Sequence, residues 1–249
     1  MVNRLNAKKI DNMRRAGAIV AECHALLADR IQPGIDTVTL DHLVEKHIRK
    51  RGATPSFKGH HGFPGSICVA VNDEICHGFP RKTPLKKGDV VTIDIGAQVD
   101  GYHGDSAWTY AVGNVRPKVR RLMKTCKQAL FLGIEQARPG NRVGDIGHAI
   151  QSFAEPLGLG VVRQFCGHGV GRKLWQDPQI PHFGLPGTGP RIETGMTLAI
   201  EPMLTLGDWR AQIDADGWTA RTVDGSFCVQ YEHTIWVTED GPVILTEKN

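Results

Sequence analysis

The chain lacks any apolar run near the ~18 residues that a membrane-spanning helix needs, which argues against an integral membrane protein. It also lacks low-complexity tracts and acidic or basic tails, so no segment reads as a disordered or purely electrostatic arm. Its first twenty residues, MVNRLNAKKIDNMRRAGAIV, hold neither a signal-type apolar block nor a small-residue cleavage site. Cysteines stand at 23, 68, 76, 126, 166 and 228 and never form a CxxC pair; six free thiols in a reducing cytoplasm are expected. A large excess of one charge sign is missing too. The net charge is +4, and the basic clusters at His47 to Arg51 and Arg116 to Arg121 read as solvated helix faces, so no specific nucleic-acid partner is expected.

What remains is ordinary globular sequence: 249 residues, 41% apolar and 22% charged, enough for one large domain over residues 1–249. Apolar residues at Ile10, Met13, Gly17, Val20 and Leu27 approach helical spacing. A Pro33-Gly34 turn and a second helical pattern on Leu40, Val44 and Ile48 follow, ending near Gly52. The same order returns with Val119, Leu122, Met123, Cys126 and Leu130, then Pro139-Gly140, then Ile146, Ile150 and Phe153 before Gly158. An offset of 106 residues carries Leu40 onto Ile146, His42 onto His148, Val44 onto Ile150 and Gly52 onto Gly158. Strand composition shows in SICVAV, DVVTIDIGAQV, SAWTYAV, TLAIEPML and CVQYEHTIWV. A duplicated half of two helices followed by strands predicts an α+β domain, its antiparallel sheet covered by helices on one face and free for a site on the other.

Acids interrupt these strands. In DVVTIDIGAQVDGYHGDSAW, Val91, Ile93 and Ile95 point one way and Asp94 the other, because side chains alternate along a strand. A carboxylate in such a run is costly unless paired or metal-bound. Gly101 and its neighbours supply a turn, Asp105 opens the returning strand, and the two acids can meet across one hairpin. His168 lies between glycines in FCGHGVG, and Glu201 and Glu232 are expected in the middle of apolar strands. Two Asp, one His and two Glu suit divalent Mn, Fe, Co or Zn, and the excess of carboxylates suggests bridging ligands between two ions.

Together SICVAVNDEICHGFP, TIDIGAQVDGYHGDSAW, FCGHGVG, LAIEPM and DGWTARTVDGSFCVQYEHTIWVT resemble the type I methionine aminopeptidases, over essentially the whole chain. That family has the pseudo-twofold pita-bread metallohydrolase fold. The resemblance implies two divalent metal ions, with Asp94 chelating one, Asp105 and Glu232 bridging both, and His168 and Glu201 completing the second. A bridging hydroxide is then the nucleophile and Glu201 the proton shuttle. His77 would contact the scissile amide, while Phe63, Cys68 and Trp218 would line the pocket for the methionine thioether. The implied partners are N-termini of peptides and nascent proteins, with ribosome proximity compatible, for a monomer acting in the cytoplasm. Three positions depart from the family pattern: Trp175 stands where a second histidine usually follows His168, Leu174 replaces a usual Phe, and His60 occupies a substrate-pocket position where Tyr is common. Substrate handling is what these departures bear on. Two other readings exist on the same fold: an Xaa-Pro peptidase, which commonly carries an extra N-terminal domain, and a catalytically weak or inactive binding module, which normally loses metal ligands.

Overall fold

The structure, a computed structural model, describes residues 7–247. Residues 1–6 of the segment read for a targeting signal lie outside the described residues. The first half runs α1 (Ala7–Ala28), α2 (Thr37–Lys50), β1 (Thr54–Pro55), β2 (Ile67–Val71), β3 (Glu74–Cys76), β4 (Val90–Val99) and β5 (Tyr102–Ala111). The second half opens with α3 (Pro117–Gln136), α4 (Val143–Ala154), β6 (Gly160–Val161), β7 (Gly167–Gly169) and β8 (Gln176–Ile180). It continues through β9 (Thr197–Ile200), β10 (Met203–Thr205), β11 (Ala211–Ile213), β12 (Ala220–Thr222), β13 (Cys228–Gln230), β14 (His233–Thr238) and β15 (Gly241–Ile244).

The offset of 106 is structural. It carries the first residue of α2, Thr37, onto the first of α4, Val143. Gly34 and Gly140 both sit at φ 96°, and Gly52 and Gly158 at 72° and 76°, conformations that glycine adopts without strain. The isolated bridges correspond to within one residue, Asp36 pairing Pro84 in one half and Arg142 pairing Arg191 in the other. The helix N-termini are capped differently at that shared position: Asp36 accepts the Thr39 N–H at 2.8 Å, whereas the Arg142 N–H donates to Asp145 at 2.7 Å.

Among the described residues every strand pairing is antiparallel, but the strands divide into four sheets where one was expected. The longest hairpin joins β4 to β5 through Asp100 and Gly101, both at positive φ, which matches the twist of the flanking strands. Leu27, Leu40, Val44 and Ile48 of α1 and α2 bury against Val91, Ile93 and Ile95 of β4. In the second half Leu122, Leu130, Ile146 and Ile150 of α3 and α4 bury against Leu198, Ile200, Ile235 and Val237. Helices thus cover one face of each half, and the opposite faces meet.

Side chains lace the two halves at that seam. Thr234 Oγ1 accepts from the Asp105 N–H at 3.0 Å and donates to the Asp105 carbonyl at 2.8 Å. Ser106 Oγ donates to the Glu232 carbonyl at 2.6 Å, and the Glu232 N–H to the Ala107 carbonyl at 2.8 Å. Gly104 serves close approach, since a Cβ there would lie 2.6 Å from the Gly17 nitrogen of α1. The cysteines are free. Among the described residues, no helix is long and apolar enough to cross a membrane.

Candidate metal centre

The β4–β5 register sets Asp94 opposite Ala107 and Asp105 opposite Gly96, so the two acids form a diagonal pair on the face away from α1 and α2. Asp105 is the fourth residue of β5 and not its first. Glu201 and Glu232 also differ from expectation. Neither lies within a strand: Glu201 falls in the gap between β9 and β10, Glu232 in that between β13 and β14. Pro202 has no N–H for a ladder, and the β9–β14 register ends with Ile200 opposite His233, so both chains break at the same level and turn their acids inward.

His168, on β7, completes the set. Asp105, His168 and Glu232 offer ligand atoms all within 4.8 Å of one another. His168 Nε2 stands 3.8 Å from Asp105 Oδ2 and 3.5 Å from Glu201 Oε1. Its Nδ1 lies 3.0 Å from the Gly169 carbonyl, which only accepts, so Nδ1 carries the proton and the Nε2 lone pair faces the acids. Burial holds the imidazole pKa down at about 4, so it is neutral at pH 7 and forms no ion pair with those carboxylates.

A lone pair aimed at carboxylate oxygens is unfavourable unless a cation or proton lies between them. The acids carry the same signature. Asp94 Oδ1, Asp105 Oδ1 and Glu232 Oε1 are buried with no hydrogen-bond partner. Burial raises the pKa of all four acids: Asp105 goes to about 7, and Asp94, Glu201 and Glu232 go well above the ordinary carboxylate range through burial and then mutual repulsion. Four acids and one neutral imidazole, with three orphaned oxygens, fit divalent cations.

These groups open into a cavity of about 850 Å³. His77 and Cys68 line it, and Trp175 lies at its rim, 40% exposed. His77 has φ 61°, a conformation few non-glycine residues adopt, and burial lowers its pKa. Phe63, Cys68 and Leu174 form an apolar cluster with Phe57, against which Phe79 and Trp218 pack. Within it the Phe63 and Trp218 rings lie 5.2 Å apart. Of these predicted pocket residues Cys68 lines the metal cavity, opposite Asp94 on β2; Phe63, Leu174 and Trp218 stand behind it. His60 lies beside the rim, its ring 4.8 Å from Trp175.

Sequence reasoning missed three participants. Gln230 Nε2 donates to Glu201 Oε2 at 3.0 Å, and the Glu201 N–H approaches His182 Nε2 at 3.4 Å, so both hold Glu201 in place. Gln230 was detectable two residues before Glu232 in one strand-like run. Phe57 lines the cavity but follows no pattern in sequence.

Residues 11–239 match the family described as metallopeptidase family M24. The chain is 51% identical over 239 residues to methionine aminopeptidase 1 of Bacillus subtilis, covering 96% of each chain. It is 47% identical over 241 residues to the methionine aminopeptidase of Clostridium perfringens, covering 97% of each. Its fold matches the crystal structure of methionine aminopeptidase from Thermotoga maritima with a TM-score of 0.98 at 43% identity, covering all of both chains. A prolidase from Pyrococcus furiosus shares the fold alone, with a TM-score of 0.79 at 21% identity over 99% of this chain and 66% of the prolidase. The pseudo-twofold pita-bread fold, the cluster of acids around His168 and these similarities converge: the chain belongs to metallopeptidase family M24, among the methionine aminopeptidases.

Proposed function

We propose that this metallopeptidase removes the N-terminal methionine from peptides and nascent proteins in the cytoplasm, acting as a monomer. Asp94, Asp105, His168, Glu201 and Glu232 would hold two divalent ions. The observation that carries this reading is the lone pair of His168 Nε2, directed at Asp105 and Glu201 at 3.8 and 3.5 Å, beside three unpartnered carboxylate oxygens. When bound, such ions activate water and polarise the scissile carbonyl.

The protein's own groups supply the rest. Glu201, steadied by Gln230, takes a proton at its carboxylate and returns it to the leaving amine. His77, on the cavity wall, donates to the scissile amide. Cys68 on the cavity wall, with Phe63, Leu174 and Trp218 packed behind it, would form the pocket for the thioether side chain, where apolar and soft groups suit sulfur. Metal content measured with methionine release from Met-Ala-Ser tests the reading, and an Ala-Pro peptide serves as the contrast. Release from Met-Ala-Ser with metal bound supports it; cleavage of Ala-Pro alone, or metal binding without any release, overturns it.

A further inference from the structure

The segment from Arg172 to Trp175 has two sides. Toward the acids it borders the metal cavity; away from them it walls a second cavity of about 480 Å³, whose opposite wall carries Lys58, His60 and His103. No acidic residue lines this second space among the described residues, whereas Asp94, Asp105, Glu201 and Glu232 line the first.

Part of its wall is already committed. His103 bonds Ser56 Oγ at 2.8 Å and the Gln98 side chain at 2.9 Å, and Lys58 is engaged by Glu45 at 2.6 Å. What is left is positive or unsatisfied. The Lys173 ammonium has no ion pair or hydrogen bond among the described residues. Arg172 donates from Nε to the Tyr102 hydroxyl at 3.1 Å and lies 5.0 Å over that ring, which orients its guanidinium and leaves the terminal nitrogens available. His60 Nε2 is shielded from water without a partner.

The two spaces are one ring apart. The Trp175 ring lies 6.5 Å from His168 and 4.8 Å from His60, centre to centre. An extended peptide advances ~3.3 Å per residue, so a chain cleaved at the acids reaches the second cavity with its third or fourth residue. We propose that this cavity is a subsite for a carboxylate on the substrate, received by Lys173 and the Arg172 fork, so that an acidic side chain, or a free C-terminus at that distance, strengthens binding. The direction of the chain rests on the peptidase reading above.

Calorimetry on the metal-loaded protein with the product-type amides Ala-Ser-Glu, Ala-Ser-Gln and Ala-Ser-Lys tests this. The Glu peptide should bind about fivefold more tightly than the Gln peptide, the size of one exposed ion pair, and the Lys peptide most weakly. Lys173→Glu should invert the Glu and Lys order. Lys173 is exposed, and ratios within one preparation cancel any inactive fraction. Comparing Ala-Ser and Ala-Ser-Gln as acids and as amides separates a C-terminal from a side-chain carboxylate. Equal affinity for all three amides, or an order unmoved by Lys173→Glu, overturns the proposal. Methionine release from the matching amides Met-Ala-Ser-Glu and Met-Ala-Ser-Lys should follow the same order in KM. If binding shows the charge order while no peptide releases methionine, the subsite stands and the proposed activity fails.

Discussion

Thermal unfolding of the metal-stripped protein, with and without Mn²⁺, should show an ion-dependent increment in Tm that is large at about pH 7.5 and nearly absent at about pH 5. The sign follows from the buried acids. Asp105 is raised from 3.8 to about 7 in the folded state, so its protonated form is favoured there; metal-free stability from this group is present at acid pH and lost as pH rises through about 7. The ion needs the opposite form. At about pH 5, two units below that pKa, only ~1% of Asp105 is ionised, which weakens binding about a hundredfold through this ligand alone. An ion present at about 100 times its neutral-pH Kd contributes about 2.7 kcal/mol, or ~5–10 °C in Tm for a chain of this size. The same concentration at about pH 5 is then close to Kd and contributes about 0.4 kcal/mol, ~1 °C. His168, held at about 4, does not take up the proton that Asp105 keeps, so the loss lies with the carboxylates. Asp94, Glu201 and Glu232 are raised by burial as well, and for that reason the increment at each pH is the quantity to read. Asp105→Asn removes both effects: it should raise the metal-free Tm at about pH 7.5 and abolish most of the increment. Equal increments at the two pH values, or none at neutral pH with Mn²⁺, Co²⁺ or Zn²⁺, would refute the reasoning.

Gln230→Leu should weaken metal affinity about 10- to 100-fold by freeing Glu201, read by metal titration; unchanged affinity would remove Gln230 from a positioning role. Trp175→His should raise turnover of Met-Ala-Ser with metal affinity nearly unchanged, because an imidazole can donate toward a substrate carbonyl where one lost donor typically costs on the order of 10² to 10³. Equal or lower turnover with metals bound would make the indole a productive part of the rim. Gly104→Ala should cost about 1–3 kcal/mol in urea unfolding, since its Cβ would meet the backbone of Ala16 and Gly17 at 2.6–2.9 Å, and a neutral result would mean that α1 shifts freely.

The residues with local signatures were legible in the sequence. Among the described residues the four α-helices carry patterns close to helical spacing, and the buried positions Leu40, Val44, Ile146 and Ile150 were found by periodicity alone. Asp94 was readable because a single carboxylate within an otherwise uncharged, largely apolar strand has few explanations. Glu201 and Glu232 were identified as residues but placed wrongly, in mid-strand. The runs TLAIEPML and CVQYEHTIWV look continuous in composition, and the breaks after Ile200 and Gln230 belong to tertiary pairing. Four sheets were read as one for the same reason, since strand composition does not record where neighbouring ladders part. His182 and Phe57 had no local signal at all; their roles come from partners far away in the chain.

The internal repeat explains why the acids gather where they do. A spacing of 107 carries Gly88 onto Gly195 and Asp94 onto Glu201, and in both halves the glycine N–H bonds the far strand, Val112 in one and Val237 in the other. Each half therefore presents an acid at the corresponding point of its helix-free face, and each half alone would leave that acid exposed on an open surface. Joining the halves through Thr234 with Asp105 and Ser106 with Glu232 removes water from both faces at once. It leaves four acids too close together to be ionised without a counter-charge. Affinity for a divalent ion is then a direct consequence of the packing that closes the domain. Substitutions that loosen the seam without touching a ligand should therefore weaken metal binding together with stability, whereas Lys173 and Trp175, outside the seam at the cavity rim, are free to vary with the substrate.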